Sequence, residues 1–137
     1  VIRADIQNLQ QSFGITNTAT SLRNATSFIA ANSGLDRRRT LLVITDGATS
    51  RGDRANLSPA VAEMLAASIR AVAVAVDPMG DTSETELMQI TNDFTNPGRY
   101  WYKDQPYDTL SDFVDTLTGS ITDRCQRKYT ALCDGVL

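Results

Sequence analysis

Two apolar runs without polar alternation constrain the fold of this chain most strongly. Thr40-Leu41-Leu42-Val43-Ile44-Thr45 and Ala71-Val72-Ala73-Val74-Ala75-Val76 have the length of β-strands. A strand with one face in water alternates apolar and polar residues, whereas a strand covered on both faces does not. The runs therefore predict two interior strands, at about residues 40–46 and 71–77.

Amphipathic segments of helix length precede, separate and follow these strands. Apolar residues recur with helical spacing over 22–29, after Ser58-Pro59, after Ser83 and over 110–121, and a first stripe comprises Ile2, Ile6, Leu9 and Phe13. Connections of this length join parallel strands through right-handed crossovers. The sequence therefore predicts an α/β fold, with a parallel sheet covered by helices on both faces.

Local signals refine this assignment. Aromatic residues at 100–102 predict a short third strand near a sheet edge, at about 99–103. Some of these rings and that of Tyr107 are expected to pack in the core, with stacking on sugars or proline-rich partners as the alternative. Ser58, followed by a proline, predicts a helix start. Ser83 and Glu86 have the spacing of a capping box, in which the glutamate reaches back to the first turn of its own helix.

Composition excludes several classes of protein. Thirteen basic and sixteen acidic residues give a net charge of −3, which argues against nucleic acid or an anionic membrane as partner. The chain has no histidine, the commonest general base and a common zinc ligand. No apolar run approaches the roughly 20 residues that a membrane span needs. The run Arg37 to Arg39 is interpreted as a solvated connection, with an anion-binding patch as the alternative.

Asp46 is the most informative polar residue. It closes the first apolar strand, and Gly47 behind it permits a sharp bend. Ligands of open parallel sheets bind beyond the carboxyl ends of the strands, and a carboxylate there can hold a hard cation such as Mg²⁺. The alternative is that Asp46 only caps a loop.

Four segments together resemble the von Willebrand factor type A domain: Gly14-Ile15-Thr16-Asn17-Thr18-Ala19, Leu42-Val43-Ile44-Thr45-Asp46-Gly47, Val72-Ala73-Val74-Ala75-Val76 and Glu86-Leu87-Met88-Gln89-Ile90. The resemblance covers residues 1–124 and implies a Rossmann-like domain with a metal-ion-dependent adhesion site. It implies that Thr16 and Asp46 contribute to binding Mg²⁺ or another divalent cation, and that an acidic side chain of a protein partner completes the coordination.

One departure from the family pattern is large. The Asp-x-Ser-x-Ser motif that the family carries at the end of its first strand does not occur in this chain. We therefore expect the first strands of the domain to be missing and metal binding by this piece to be weak or absent. Residues 125–137 are interpreted as a cysteine-containing tail or the start of another module.

Several features fit a secreted protein. Asn24 and Asn56 stand in glycosylation sequons. Cys125 and Cys133 could pair with each other, pair with cysteines elsewhere or remain free thiols. Their position in a polar tail leads us to expect oxidation.

The tripeptide Arg51-Gly52-Asp53 has the sequence that integrins recognise. An exposed turn there would present it to such a partner. Ordinary loop chemistry is the favoured interpretation, because glycine and charged residues are common in turns.

The function expected from these features is an extracellular adhesion or matrix scaffold module of the kind found in matrilins, non-fibrillar collagens and mollusc shell or byssus proteins. Its partner would be collagen or another matrix protein, without nucleic acid or membrane insertion. The alternative is an intracellular type A domain that serves as a regulatory or assembly subunit. An enzyme is not expected, because no glycine-rich phosphate-binding motif follows any strand.

Overall fold

The computed structural model describes residues 15–34, 38–76, 82–103, 105 and 112–123. The helices are α1 (Thr18–Asn32), α2 (Arg51–Arg54), α3 (Leu57–Ala66) and α4 (Glu84–Thr91), and the strands are β1 (Arg39–Thr45), β2 (Ile69–Ala75) and β3 (Trp101–Tyr102). A further helix, α5, covers 112–123. The helix predicted near the amino terminus and both cysteines lie outside the described residues. No helix within these ranges is long and apolar enough to cross a membrane.

The strands form one parallel sheet in the order β1-β2-β3. β1 pairs with β2 from Arg39 opposite Ile69 to Thr45 opposite Ala75. β2 pairs with β3 at Ala73 and Val74. The predicted parallel α/β fold is thus confirmed, with strand ends displaced by one or two residues.

β2 is buried on both faces. Ala71, Ala73 and Ala75 face the larger core, which also contains Ala19, Leu22, Leu57, Ala60, Val61, Met64, Leu87, Ile90 and Trp101. Val72, Val74 and Val76 alternate with them and are also fully inaccessible to solvent. Small alanine side chains let the helices approach the sheet closely, and continuous burial explains why this run shows no alternation.

The opposite face of the sheet carries α5. Tyr102 pairs with Val74 and therefore points to the valine side of the sheet. Its ring meets the Phe113 ring edge to face, with centroids 4.7 Å apart, and the Tyr100 hydroxyl donates to the Asp123 carboxylate. Helices therefore cover both faces, and the predicted burial of the aromatic strand is confirmed.

β1 departs from the prediction of an interior strand. Leu42 and Ile44 on one face are 37% and 59% exposed, whereas Leu41 and Val43 on the other face pack against the core. β1 also lies at an edge of the three-stranded sheet formed by the described residues. Its apolar sequence is suited to more cover than these residues provide.

Arg39 is not part of a solvated connection, as the sequence had indicated. Its side chain is 7% exposed, and its guanidinium donates to Ser33 O at 2.6 Å and Ala67 O at 3.1 Å. Ser33 and Ala67 are the C-cap residues of α1 and α3. The buried cation therefore compensates the partial negative charge at two helix ends.

Two predicted helix starts need correction. α3 begins at Leu57 with Asn56 as N-cap, so Ser58 lies inside the helix rather than before it. Ser83 is the N-cap of α4 as predicted, but its side chain makes no capping hydrogen bond. The Glu86 carboxylate instead accepts a hydrogen bond from a distant loop residue, Thr49. A tertiary contact therefore takes the place of the local cap.

Asp93 organises the loop that leads into β3. Its carboxylate accepts hydrogen bonds from Thr95 Oγ1 at 2.7 Å, Arg99 N at 2.7 Å and Tyr100 N at 3.0 Å. Burial acts to raise the pKa of Asp93, but these hydrogen bonds and one from Thr95 N outweigh it, so the pKa lies below that of an ordinary aspartate. The indole Nε1 of Trp101 donates to the Asp93 carbonyl at 3.1 Å.

Only glycine fits at position 98 in the same loop. A Cβ at this position would lie only 2.2 Å from Nε1 of Trp101. The close approach of the indole ring therefore excludes any side chain here.

We predict that Asp93→Asn lowers the free energy of unfolding by about 1–2 kcal/mol at neutral pH, because buried backbone donors lose a charged acceptor. The folded pKa lies below the unfolded value of about 3.9, so the stabilisation is complete above that value and is lost as the pH falls through the folded pKa. Urea unfolding at a series of pH values should show the two proteins converging in acid. A difference that persists unchanged in strong acid would contradict this.

Candidate functional site

Two polar loops meet at the carboxyl end of β1. One comprises residues 15–17, which precede α1, and the other comprises residues 46–50. Ser50 N donates to Thr16 O at 2.8 Å, and Ser50 Oγ donates to Asn17 Oδ1 at 3.1 Å. The hydrogen bonds hold together two segments that lie about thirty positions apart in the sequence.

The two metal-ligand candidates lie on these loops. A Cβ at Gly47 would be 3.7 Å from Thr16 Oγ1, so the Thr16 hydroxyl lies against the residue that follows Asp46. Asp46 is exposed and Thr16 is half-buried. Thr45 Oγ1 donates to Gly47 O at 2.8 Å and fixes the bend at the end of β1.

The donor set fits part of a site for a hard cation. A carboxylate and a hydroxyl are oxygen ligands of the kind that Mg²⁺ takes, but Mg²⁺ requires about six oxygen ligands, and waters supply those that the protein does not. Within the described ranges, no group of three or more acidic, histidine or cysteine residues could hold a metal ion. Thr16 and Asp46 can therefore contribute to such a site without forming it alone.

Asp53, in the short helix α2, caps α1 across more than thirty positions of sequence. Its carboxylate accepts hydrogen bonds from Ala19 N at 2.7 Å, Thr20 N at 3.2 Å and Thr20 Oγ1 at 3.1 Å. The helix has no acidic residue in its first turn, and the side chain of its N-cap residue Asn17 makes no capping bond. Asp53 thus satisfies first-turn donors that have no partner within the helix, and it places a negative charge at the positive end of the helix dipole.

This role bears on the integrin-type tripeptide. Arg51 and Gly52 are exposed, but Asp53 is only 7% exposed and faces α1. All but the last residue of the tripeptide lies open to solvent at the start of a short helix. The acidic group is engaged inside the protein.

Glu86 joins α4 to the same loops. Its carboxylate accepts hydrogen bonds from Thr49 N at 3.0 and 3.2 Å and from the Thr49 hydroxyl. The Thr49 hydroxyl lies 2.6 Å from that of Thr18, the first residue of α1. Glu86 is 6% exposed.

No sequence motif pointed directly to these supporting residues. Asp53 belongs to a tripeptide with a competing interpretation, and Glu86 fits a local capping box. Thr49 lies in a polar loop without a motif. Only the capping-box spacing marked Glu86 as a hydrogen-bonding group, and it pointed to the wrong partner.

The remaining candidates are the two glycosylation sequons and the two cysteines. Asn24 on α1 and Asn56 before α3 are both exposed, but Thr26, the hydroxyl residue of the first sequon, is 8% exposed. Pro59 follows the serine of the second sequon. Cys125 and Cys133 lie outside the described residues, so their oxidation stays a prediction.

A parallel sheet flanked by helices, with polar loops at the carboxyl end of its first strand, defines an open α/β fold. The family model for the von Willebrand factor type A domain matches residues 1–116. The chain therefore belongs to this family, as the resemblance had indicated. The boundary predicted at residue 124 stays a prediction.

A solved structure supports the fold. The chain is similar to proximal thread matrix protein 1 from the mussel byssus, with a TM-score of 0.65 and 15% sequence identity. The match covers 88% of this chain and 28% of that protein. No curated protein sequence matches the chain.

We predict that Asp53→Ala lowers the free energy of unfolding by about 1–2 kcal/mol, because two backbone donors of α1 lose their acceptor. Arg51→Ala is a matched control in the same short helix, since Arg51 is exposed, and should change stability by less than about 0.5 kcal/mol. Urea unfolding of both variants tests this. Equal stabilities would show that the Asp53 cap contributes nothing measurable.

Proposed function

We propose that the complete domain is an extracellular adhesion or matrix scaffold module, and that it binds a protein partner through a divalent cation held in part by Thr16 and Asp46. The observation that carries this proposal is the contact between the loops. The Thr16 hydroxyl lies beside Gly47, and the preceding Asp46 carboxylate is exposed at the carboxyl end of β1.

In this proposal, Asp46 provides a charged oxygen ligand and Thr16 a neutral one. The hydrogen bond from Ser50 N to Thr16 O keeps the threonine loop against the aspartate loop. When bound, Mg²⁺ would supply the positive charge that attracts an acidic side chain of the partner. The residues of this chain orient ligands and carry out no bond-making step, so the proposal includes no enzymatic activity.

An uncovered surface along β1 is consistent with a site that is completed by residues beyond those described. An open groove of about 250 Å³ runs along this strand. It is lined on the helix side by Leu22 and Ala25 of α1, and on the strand side by residues 41–45. Polar residues also line the groove, at the end next to the candidate site: Thr16, Asn17, Thr18 and Ser21. We assign this groove to the strands that the family places beside β1, one of which ends in the Asp-x-Ser-x-Ser motif.

The proposed partner is an extracellular protein such as collagen or another matrix component. Membership of the type A family and similarity to a byssus matrix protein support a matrix role. The net charge of −3 makes a polyanionic partner unfavourable. We propose that the protein is secreted and that Asn24 and Asn56 are its candidate glycosylation sites.

We predict weak binding of divalent cations by this chain and its loss in Asp46→Ala. Addition of paramagnetic Mn²⁺ should broaden NMR signals of residues 16, 46 and 47 in the wild type and not in the variant, because the charged ligand has been removed. Asp115→Ala removes an equal charge from an exposed position on α5 and should behave as the wild type.

Two results would contradict this prediction. Unchanged broadening in Asp46→Ala would separate cation binding from Asp46. In the complete domain, adhesion that survives both Asp46→Ala and removal of divalent cations by chelation would eliminate the metal mechanism. Stability should change little, because Asp46 is exposed.

We also predict that Cys125 and Cys133 are oxidised in the native protein, because secreted proteins mature in oxidising compartments. Thiol labelling of freshly isolated protein without reductant, followed by mass spectrometry, measures this. Two fully reactive thiols would favour the intracellular alternative.

A further inference from the structure

Glu86 is a buried carboxylate held by neutral donors. It is 6% exposed, and the salt bridge within the described part of the chain joins Arg23 to Glu63. Removing a carboxylate from water is costly unless hydrogen bonds replace its hydration. At Glu86 the replacement comes from one residue, Thr49, through its backbone N–H and its hydroxyl.

The direction of these hydrogen bonds follows from the number of protons. An ionised carboxylate only accepts, so the single hydroxyl proton of Thr49 is donated to Glu86. The Thr49 oxygen then accepts the proton of the Thr18 hydroxyl, 2.6 Å away. Two consecutive hydrogen bonds, each donated in the same direction, therefore lead from α1 through the 46–50 loop to α4.

These hydrogen bonds connect the two segments that carry the candidate cation ligands. Thr49 lies three positions after Asp46, and Thr18 lies two positions after Thr16. Asp46 itself is exposed, whereas Thr49 and Thr18 are buried. Glu86 thus holds Thr49 in the 46–50 loop and, through Thr49, Thr18 at the start of α1, whereas Asp46 is exposed and Thr16 half-buried.

We propose that Glu86 is a positioning residue, which sets the relative position of Thr16 and Asp46 through Thr49 and Thr18 without binding the cation. Its effect on cation binding rests on the proposed function, but its effect on loop geometry does not. The local alternative, a capping box within α4, is excluded by the hydrogen bonds that Glu86 makes with Thr49.

The test compares Glu86→Gln with Glu84→Gln. Glu84 is exposed in the first turn of the same helix, so both variants lose one negative charge from α4. The amide of glutamine keeps the shape of the side chain but weakens acceptance from Thr49. Hydrogen exchange of the 46–50 and 18–20 amides measures the loops, and Mn²⁺ broadening of residues 16, 46 and 47 measures cation binding.

Glu86→Gln should accelerate exchange of the Thr49 amide by about tenfold or more, because a hydrogen bond to a charged acceptor becomes a weaker one to a neutral amide. It should also raise the Mn²⁺ concentration needed for half-maximal broadening by about tenfold, as is typical when the support of a ligand is removed. Amides of β2 should exchange as in the wild type. Glu84→Gln should change none of these quantities.

Variants of Thr49 provide an independent measurement if Glu86→Gln folds poorly. Thr49→Val keeps the side-chain shape and removes the hydroxyl, and should weaken Mn²⁺ binding in the same way. Thr49→Ser keeps the hydroxyl and should restore wild-type binding.

Several outcomes would overturn the proposal. The positioning role is wrong if loop exchange in Glu86→Gln equals that in Glu84→Gln, or if exchange rises equally in β2, which would indicate general destabilisation. Unchanged Mn²⁺ broadening in Glu86→Gln would overturn its link to the cation. If wild-type protein shows no broadening at Asp46, the weak cation binding predicted for this chain is wrong, and the loop exchange rates still decide the role of Glu86.

Discussion

The burial of β2 on both faces is the constraint on which the rest of the structure depends. Its alanine face packs against the helices of the larger core, and its valine face is equally inaccessible to solvent. Full burial of a valine side chain contributes about 1.5–3 kcal/mol, so the strand can occupy only the middle of the sheet. Because β1 pairs with β2 in parallel, the carboxyl ends of both strands lie at the same end of the sheet, where the polar loops meet.

Buried charges complement the helix dipoles around this core. Arg39, at the amino end of β1, donates to carbonyls that end α1 and α3. Asp53, beyond the opposite end of the strand, accepts from the first turn of α1. The same helix therefore has a cation at its negative end and a carboxylate at its positive end, which stabilises its position along the sheet.

The loops of the candidate site obtain their order from these buried groups. Asp53 holds the start of α1, and Glu86 holds Thr49. The Asp53 carboxylate is bonded just after the loop that carries Thr16, and the Glu86 carboxylate is bonded within the loop that carries Asp46. This arrangement leaves Asp46 exposed, while hydrogen bonds to buried side chains hold the loop that follows it.

The sequence by itself determined the parallel α/β order, the interior position of β2 and the place of Asp46 at a strand end. Those features follow from hydrophobic periodicity and turn residues, which act over a few positions. Only the tertiary structure decided which partners Arg39, Asp53 and Glu86 take, because each partner is a buried donor or acceptor that the fold brings close. Local patterns assigned Arg39 to a solvated connection, Asp53 to an ordinary polar loop and Glu86 to a capping box. Burial excluded the local interpretations, because a charged group that has lost its contact with water must form hydrogen bonds with the polar groups that the fold places beside it.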